Sequence, residues 1–357
     1  MYHPNKPYND LPLLPPKLNI ETLAVLRKTI KASRALSELK TSVYRLPNPL
    51  LLLDSIQILE AQASSEIENI VTSNEQIFKA TVSEQAAVYN VREVMHYKEA
   101  LWHAIKQLEK KPVLNTNLFI SIMQIIKKTH TGIRTSGETK LINPHTDKVV
   151  YTPPSGEKII RDKLKNLEEY IHADDDVDPL IKMAIIHYQF EAIHPFYDGN
   201  GRTGRIILML YLKWSGLLEL PAMYLSKEIN INKNEYYIKL RAVTEKKEWE
   251  AWVLYILNII EQAANNAKKQ IEEIEVLKTK MSNDIKKKLP KIYSHELMES
   301  LFRLPYTKRQ NLVQAGIGNL KTVGNYLMAL EEKGFLRSEQ VGKEKLYLNW
   351  RLMNLLK

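Results

Sequence analysis

Apolar residues recur at three- and four-residue spacing through most of the 357-residue chain, the period of helices with one buried face. The spacing predicts helices over residues 20–39, with a basic outer face, and then over 56–67, 75–109 and 115–129. Further helices are expected over 157–172, 178–193, 203–215, 233–244 and 248–280. Punctuation supports these divisions. The Pro-rich start, to about Lys17, cannot be helical, LPNP interrupts the pattern at 46–49, and Asn69 is placed to cap the second helix. The acidic run DDDVDP marks the start of the helix at 178.

Two regions depart from the helical period. Around 139–152 the short β-prone runs TKLI and KVVYT flank the turn signal NPHTD, and TPPSG stops the second run, which predicts a hairpin. After Lys286–Lys288 and Pro290 the long charged helix ends, and the tail reads as HELMESLFRL, TKRQNLVQAG and LKTVGNYLMALEEKG followed by two strands around a Gly-Lys turn in FLRSEQVGKEKLYLN. Three helices and a hairpin are the makings of a winged helix-turn-helix. The expected fold is therefore mainly α, with a helical core, a β-hairpin flap and this C-terminal module.

Composition narrows the classes. An apolar share of 44% with 26% charged residues is that of a globular protein with a sizeable core. Without cysteine, disulfides, thiolate metal sites and cysteine nucleophiles are excluded. The net charge of +10 is compatible with phosphates, nucleic acid or acidic proteins and selects none of them. No basic-then-apolar leader opens the chain, and its longest apolar stretch, 206–212, is far shorter than the roughly 20 residues of a membrane span, so a cytoplasmic protein without membrane contact is expected.

Chemistry concentrates in HPFYDGNGRTGR, residues 194–205. Backbone N–H groups around Gly199 and Gly201 can form an anion nest, and the helix that follows adds its partial positive charge, so a polyphosphate suits this loop. Arg202 and Arg205 lie three apart and project from one side of a first helical turn, able to fork onto different phosphate oxygens. Asn200 supplies a neutral donor. A carboxylate beside a phosphate nest calls for a cation, which makes Asp198 a Mg²⁺ ligand candidate. His194, at the end of the preceding helix and followed by Pro195, suits a general base near neutral pH.

The segment matches the Fic signature His-x-Phe-x-(Asp/Glu)-Gly-Asn-Gly-Arg-x-x-Arg at every specified position, and the chain thereby resembles the Fic family. The resemblance implies a Fic-type helical core and a protein adenylyltransferase that moves AMP from ATP to a Ser, Thr or Tyr hydroxyl of a target protein. It implies His194 as base, Phe196 as buried anchor, Asp198 for Mg²⁺, and Gly199, Asn200, Gly201, Arg202, Thr203, Gly204 and Arg205 as the ATP and phosphate site. PNPLLLLDSIQILEAQASSEIENI looks like the N-terminal segment of single-chain Fic proteins, and GIRTSGETKLI with VVYTPP looks like the region of the flap. MYLSKEININKNEYYIKL resembles the adenosine side of the pocket, with Tyr236 and Tyr237 as candidates to touch the base. An exposed edge of the hairpin could receive an extended target segment by strand addition.

Residues 64–69, SSEIEN, fit the family's inhibitory pattern (Ser/Thr)-x-x-x-Glu-(Gly/Asn), with Ser64, Glu68 and Asn69 at the specified places. A carboxylate in the last turn of a helix is disfavoured by the helix dipole and calls for a cation. The resemblance supplies Arg205, which Glu68 would divert from the γ-phosphate. In some relatives the corresponding Glu instead supports removal of AMP, and both roles stay open. By this reading the chain comprises an N-terminal helical region with the inhibitory helix (1–110), a Fic core (111–265), a linking helix (266–288) and a winged helix-like domain (289–357). DNA binding through 320–333, protein contact or a homo-oligomer are alternative uses of the tail, and a DNA-binding regulator with a nucleotide-sensing Fic part is the competing class.

Overall fold

The computed structural model describes residues 2–46, 48–83, 88–135, 139–143 and 146–356. The fold is mainly helical with two small antiparallel sheets, as expected. The chain folds into two compact units. One comprises the chain up to Ser37, His96–Glu219 and Leu225–Ala263; the other comprises Glu38–Met95, Leu220–Tyr224 and everything from Ala264 on.

The first unit is built around α7 (Pro179–Ile193), which is buried on nearly every face. Its sequence is apolar all round, so it can only be a central helix. Against it pack α6 (Glu157–His172) and α8 (Asn200–Trp214), and α5 (Thr116–Lys127) covers α8 in turn. Trp252, near the start of α11 (Trp249–Lys288), is fully buried and donates its indole N–H to the Ala184 carbonyl at 2.8 Å. Pro179 at the first helical turn and Asp178, whose carboxylate accepts from the Leu180 N–H, start α7 as the DDDVDP signal foretold.

The hairpin pairs β1 (Leu141–Ile142) with β2 (Val149–Tyr151). Part of its turn, 144–145, lies outside the described residues. The Pro-rich start of the chain, which no periodicity could place, is fastened along β2. Tyr8 N–H donates to the Thr152 carbonyl at 3.0 Å, Tyr2 Oη to the Val150 carbonyl at 2.9 Å, and Thr152 Oγ1 to the Pro4 carbonyl at 2.6 Å. Among the described residues β1 has no second strand neighbour.

The second unit holds α2 (Pro49–Ile67), α3 (Asn74–Val82) and the C-terminal tail. Helix α2 starts at Pro49, seven residues before the periodicity at Ile56, because proline is tolerated in the first turn. It packs on α12 (His295–Arg303), with Ser55 Oγ donating to the Arg303 carbonyl and the Arg303 guanidinium on Asp54 at 3.0 Å. The pattern over 75–109 resolves into α3 and α4 (Tyr89–Lys110); 84–87, between them, lie outside the described residues. The tail runs through α12, β3 (Tyr306–Thr307), α13 (Arg309–Gln314), α14 (Leu320–Glu332), β4 (Arg337–Val341), β5 (Glu344–Leu348) and α15 (Trp350–Leu355), its sheet ordered β3-β5-β4. The periodic pattern did not reveal β3 and α15, which are too short to show a period.

Candidate active site

The loop at 194–205 and the residues packed around it lie in the first unit. His194 is the C-cap of α7, with φ 49° and ψ 61° in the left-handed region, and its N–H closes the helix on the Phe190 carbonyl at 3.0 Å. A residue preceding proline is normally driven to extended backbone, so this conformation is strained and needs support. The support is Arg134, a fully buried guanidinium that no sequence pattern singles out. Its Nε donates to the His194 carbonyl at 2.7 Å, and Nη2 donates to the carbonyls of Ile193, at 3.2 Å, and Pro154. Its own N–H donates to the Pro195 carbonyl at 3.0 Å. The guanidinium thus supplies the cation that the last turn of α7 lacks in its own sequence. Tyr151, at the end of β2, donates to the Ala192 carbonyl at 2.7 Å, so the hairpin is anchored to that same turn.

Beyond His194 the chain turns around Asn200. Its Oδ1 accepts from the Phe196 N–H at 2.9 Å and its Nδ2 donates to the Phe196 carbonyl at 2.8 Å. The Asn200 amide is therefore engaged in bracing the loop, and what it can offer a phosphate is its backbone N–H. Phe196 is buried beside Phe190. Gly199, at φ 83°, is the N-cap of α8, a helix whose first N–H groups are left without intrahelical acceptors. Helix α8 thus begins at Asn200, three residues earlier than periodicity suggested, because Gly and Asn carry no apolar signal.

Arg202 and Arg205 lie on the first turn and a half of α8, and both are almost wholly enclosed. Gly204 faces the core: a Cβ there would lie 2.1 Å from Glu191 Oε1. Thr203 is buried and its Oγ1 has no hydrogen-bond partner among the described residues. Both therefore lie on the enclosed side of α8.

Asp198 has an exposed side chain whose Oδ1 accepts from the Gly199 N–H at 2.6 Å and whose Oδ2 meets Lys127 Nζ at 2.7 Å. Burial raises its carboxyl, but Lys127, the Gly199 N–H and the charge of Arg202 more than offset this and hold it below the usual carboxylate range. No group of three His, Asp or Glu among the described residues would hold a metal on side chains alone. One ionised carboxylate beside an anion nest fits Mg²⁺ that draws its remaining ligands from phosphate and water.

The two candidate base contacts are placed differently. Tyr236 is buried, its hydroxyl 2.9 Å from His187 Nε2 and its ring against Trp252. Tyr237 is 43% exposed and meets Tyr236 edge-on, so of the pair it is the one accessible from outside. His187 itself is pulled down to about 3 by burial, reinforced by the charge of Arg205. In the second unit, Ser64 is fully buried in α2 and Glu68 is its exposed C-cap residue. Asn69, at φ 63°, adopts the left-handed conformation that ends helices, with its N–H on the Glu66 carbonyl at 2.9 Å.

The site is thus a strained histidine cap that runs into a glycine-started helix carrying two enclosed arginines. Three profiles place the chain more closely. One of the Fic/DOC family matches residues 113–212, one of the Fic/DOC family N-terminal region matches 26–106, and one of the protein adenylyltransferase SoFic-like C-terminal domain matches 277–352. The chain belongs to the Fic/DOC family.

Among curated relatives, protein adenylyltransferase fic-1 of Caenorhabditis elegans is 36% identical over 92 residues, 25% of this chain and 17% of that protein. A probable protein adenylyltransferase of Aquifex aeolicus is 27% identical over 201 residues, 54% of this chain and 57% of that one. The chain thus spans between a sixth and a little over half of these relatives' lengths. A solved Fic family protein of Desulfovibrio desulfuricans shares the fold with a TM-score of 0.59 at 20% identity, covering 94% of this chain and 98% of that one. Fic-1 of Caenorhabditis elegans aligns with a TM-score of 0.53 at 20% identity, over 70% of this chain and 74% of the solved one.

Proposed function

We propose that the chain transfers AMP from ATP to a Ser, Thr or Tyr hydroxyl of a target protein. The observation that carries the reading is the placement of His194, as cap of α7, within one loop of the α8 nest and of Arg202 and Arg205. The relatives' names as protein adenylyltransferases support it.

In the reaction the target hydroxyl oxygen attacks the α-phosphorus of ATP as its proton passes to His194. The bond from the α-phosphorus to the oxygen bridging to the β-phosphate breaks, and pyrophosphate leaves with that electron pair. Charge growing on the non-bridging oxygens is met by the N–H groups at the start of α8, preorganised by the Asn200 brace. Arg202 and Arg205 hold the β- and γ-phosphates, and the exposed Tyr237 meets the base. Asp198 would hold Mg²⁺, which when bound would supply Lewis-acid neutralisation of the polyphosphate. The β1 edge offers a strand-addition site for the target segment, which would bring its hydroxyl to His194. Glu68 restrains this activity, and the purified wild type is mostly inactive.

The test incubates wild type, Glu68→Gly and Glu68→Gly/His194→Ala with α-labelled ATP and a cell lysate. Expected are faint labelled bands with wild type, strong bands with Glu68→Gly, and none with Glu68→Gly/His194→Ala. Labelling that survives loss of His194 would overturn the assignment of the base. Equal labelling by wild type and Glu68→Gly would overturn the brake.

A further inference from the structure

The ion pair between Lys127 and Asp198 goes beyond the signature loop, because Lys127 lies some seventy residues upstream, at the end of α5. As a stability device the pair is weak: with the Asp198 side chain 67% exposed, such a bridge is worth at most about 1 kcal/mol. Its placement is nevertheless defined. The aliphatic stem of Lys127 lies against Gly199, so close that a Cβ on that glycine would be 3.2 Å from Lys127 Cγ. Met123, one turn earlier on α5, flanks the same glycine, with Cγ 3.5 Å from that Cβ position. The lysine is therefore seated on the wall of the nest with its ammonium turned to the carboxylate.

Asp198 poses a difficulty for the nest. An anion beside a site for a polyphosphate repels the ligand unless a cation is present, and a metal is present only when it arrives. We infer that Lys127 is a stand-in cation: it screens Asp198 until Mg²⁺ takes the carboxylate, and so lets ATP enter the nest before or without the metal. This rests on the reading of Asp198 as the Mg²⁺ ligand. Lys127 acts through Asp198 and is thus a positioning residue. A pair this weakly held yields readily to a divalent ion, whose charge on the same carboxylate is twice as large. Of the two oxygens of Asp198, the one Lys127 occupies is Oδ2, while Oδ1 stays on the Gly199 N–H, so exchanging the cation leaves the loop's own hydrogen bond in place.

The experiment measures ATP binding to the full chain by calorimetry, in EDTA and in saturating Mg²⁺. The proteins are wild type, Lys127→Met, Lys127→Arg, Asp198→Asn and Lys127→Met/Asp198→Asn. Lys127→Met should weaken metal-free binding about tenfold and Mg²⁺-supported binding by no more than about twofold, and Lys127→Arg should restore metal-free binding. In the Asp198→Asn background, Lys127→Met should cost no more than about threefold. Equal losses with and without Mg²⁺, or a full tenfold loss persisting without Asp198, would overturn the inference and make Lys127 a direct phosphate ligand or a prop of the loop. No loss at all would overturn it too. Failure of the Asp198 reading looks different: Mg²⁺ would then tighten ATP binding equally in wild type and Asp198→Asn.

Discussion

Replacing Arg134 with Met removes a guanidinium that is fully buried and serves three carbonyls, those of Pro154, Ile193 and His194. Methionine fills much of the same volume, so the effect is chiefly polar. Each stranded carbonyl costs about 1–3 kcal/mol. Against this, burying the guanidinium already costs the wild type several kcal/mol of desolvation, which the substitution relieves. The net destabilisation should be about 3 kcal/mol, read by urea unfolding followed through intrinsic fluorescence. Activity should fall further than stability explains. Without the clamp, the pre-proline His194 can relax from its left-handed conformation, and a displacement of about 1 Å in a catalytic base costs on the order of a hundredfold. The assay is transfer of labelled AMP per folded molecule in the Glu68→Gly background, under conditions where both variants are folded. Arg134→Lys, keeping the charge and one reachable carbonyl, should fall between. Unfolding within 1 kcal/mol of wild type, or undiminished transfer per folded molecule, would refute the clamp.

Gly199→Ala forces a Cβ into the left-handed region and to within 3.2 Å of Lys127; it should cost about 1–2 kcal/mol and weaken ATP binding, and an unchanged urea midpoint would contradict the nest geometry. His187, at about 3 in the folded protein against 6.5 unfolded, takes up its proton first in the unfolded chain, so stability present above about pH 6.5 is lost as the pH falls toward 3. The loss should approach about 1.4 kcal/mol per pH unit below pH 6, and His187→Gln should flatten the stability profile by that amount; parallel profiles for the two proteins would exclude His187 as the source.

The contiguous parts of this protein were legible in its sequence. Helices with one buried face announce themselves by their period, and the histidine, nest and two arginines occupy twelve consecutive residues, so their relative placement follows from a helix end, a turn and a helix start. The hairpin was legible from its turn signal and the cap at Asn69 from residue type, because both depend on neighbours a few positions away. What tertiary structure decided is whatever depends on partners distant in sequence. Arg134 reaches His194 across sixty residues, and its segment carries no pattern that predicts a clamp. Lys127 ends an ordinary amphipathic helix, and only the packing of α5 on α8 sets its ammonium on Asp198. Asn200 and Thr203 looked available to phosphate in one dimension, yet the loop's own unpaired N–H and carbonyl engaged the first and burial of α8 enclosed the second. Tyr236 and Tyr237 were equivalent as letters; a helix turns adjacent residues about 100° apart, and that rotation sent one into the core and left the other facing outward.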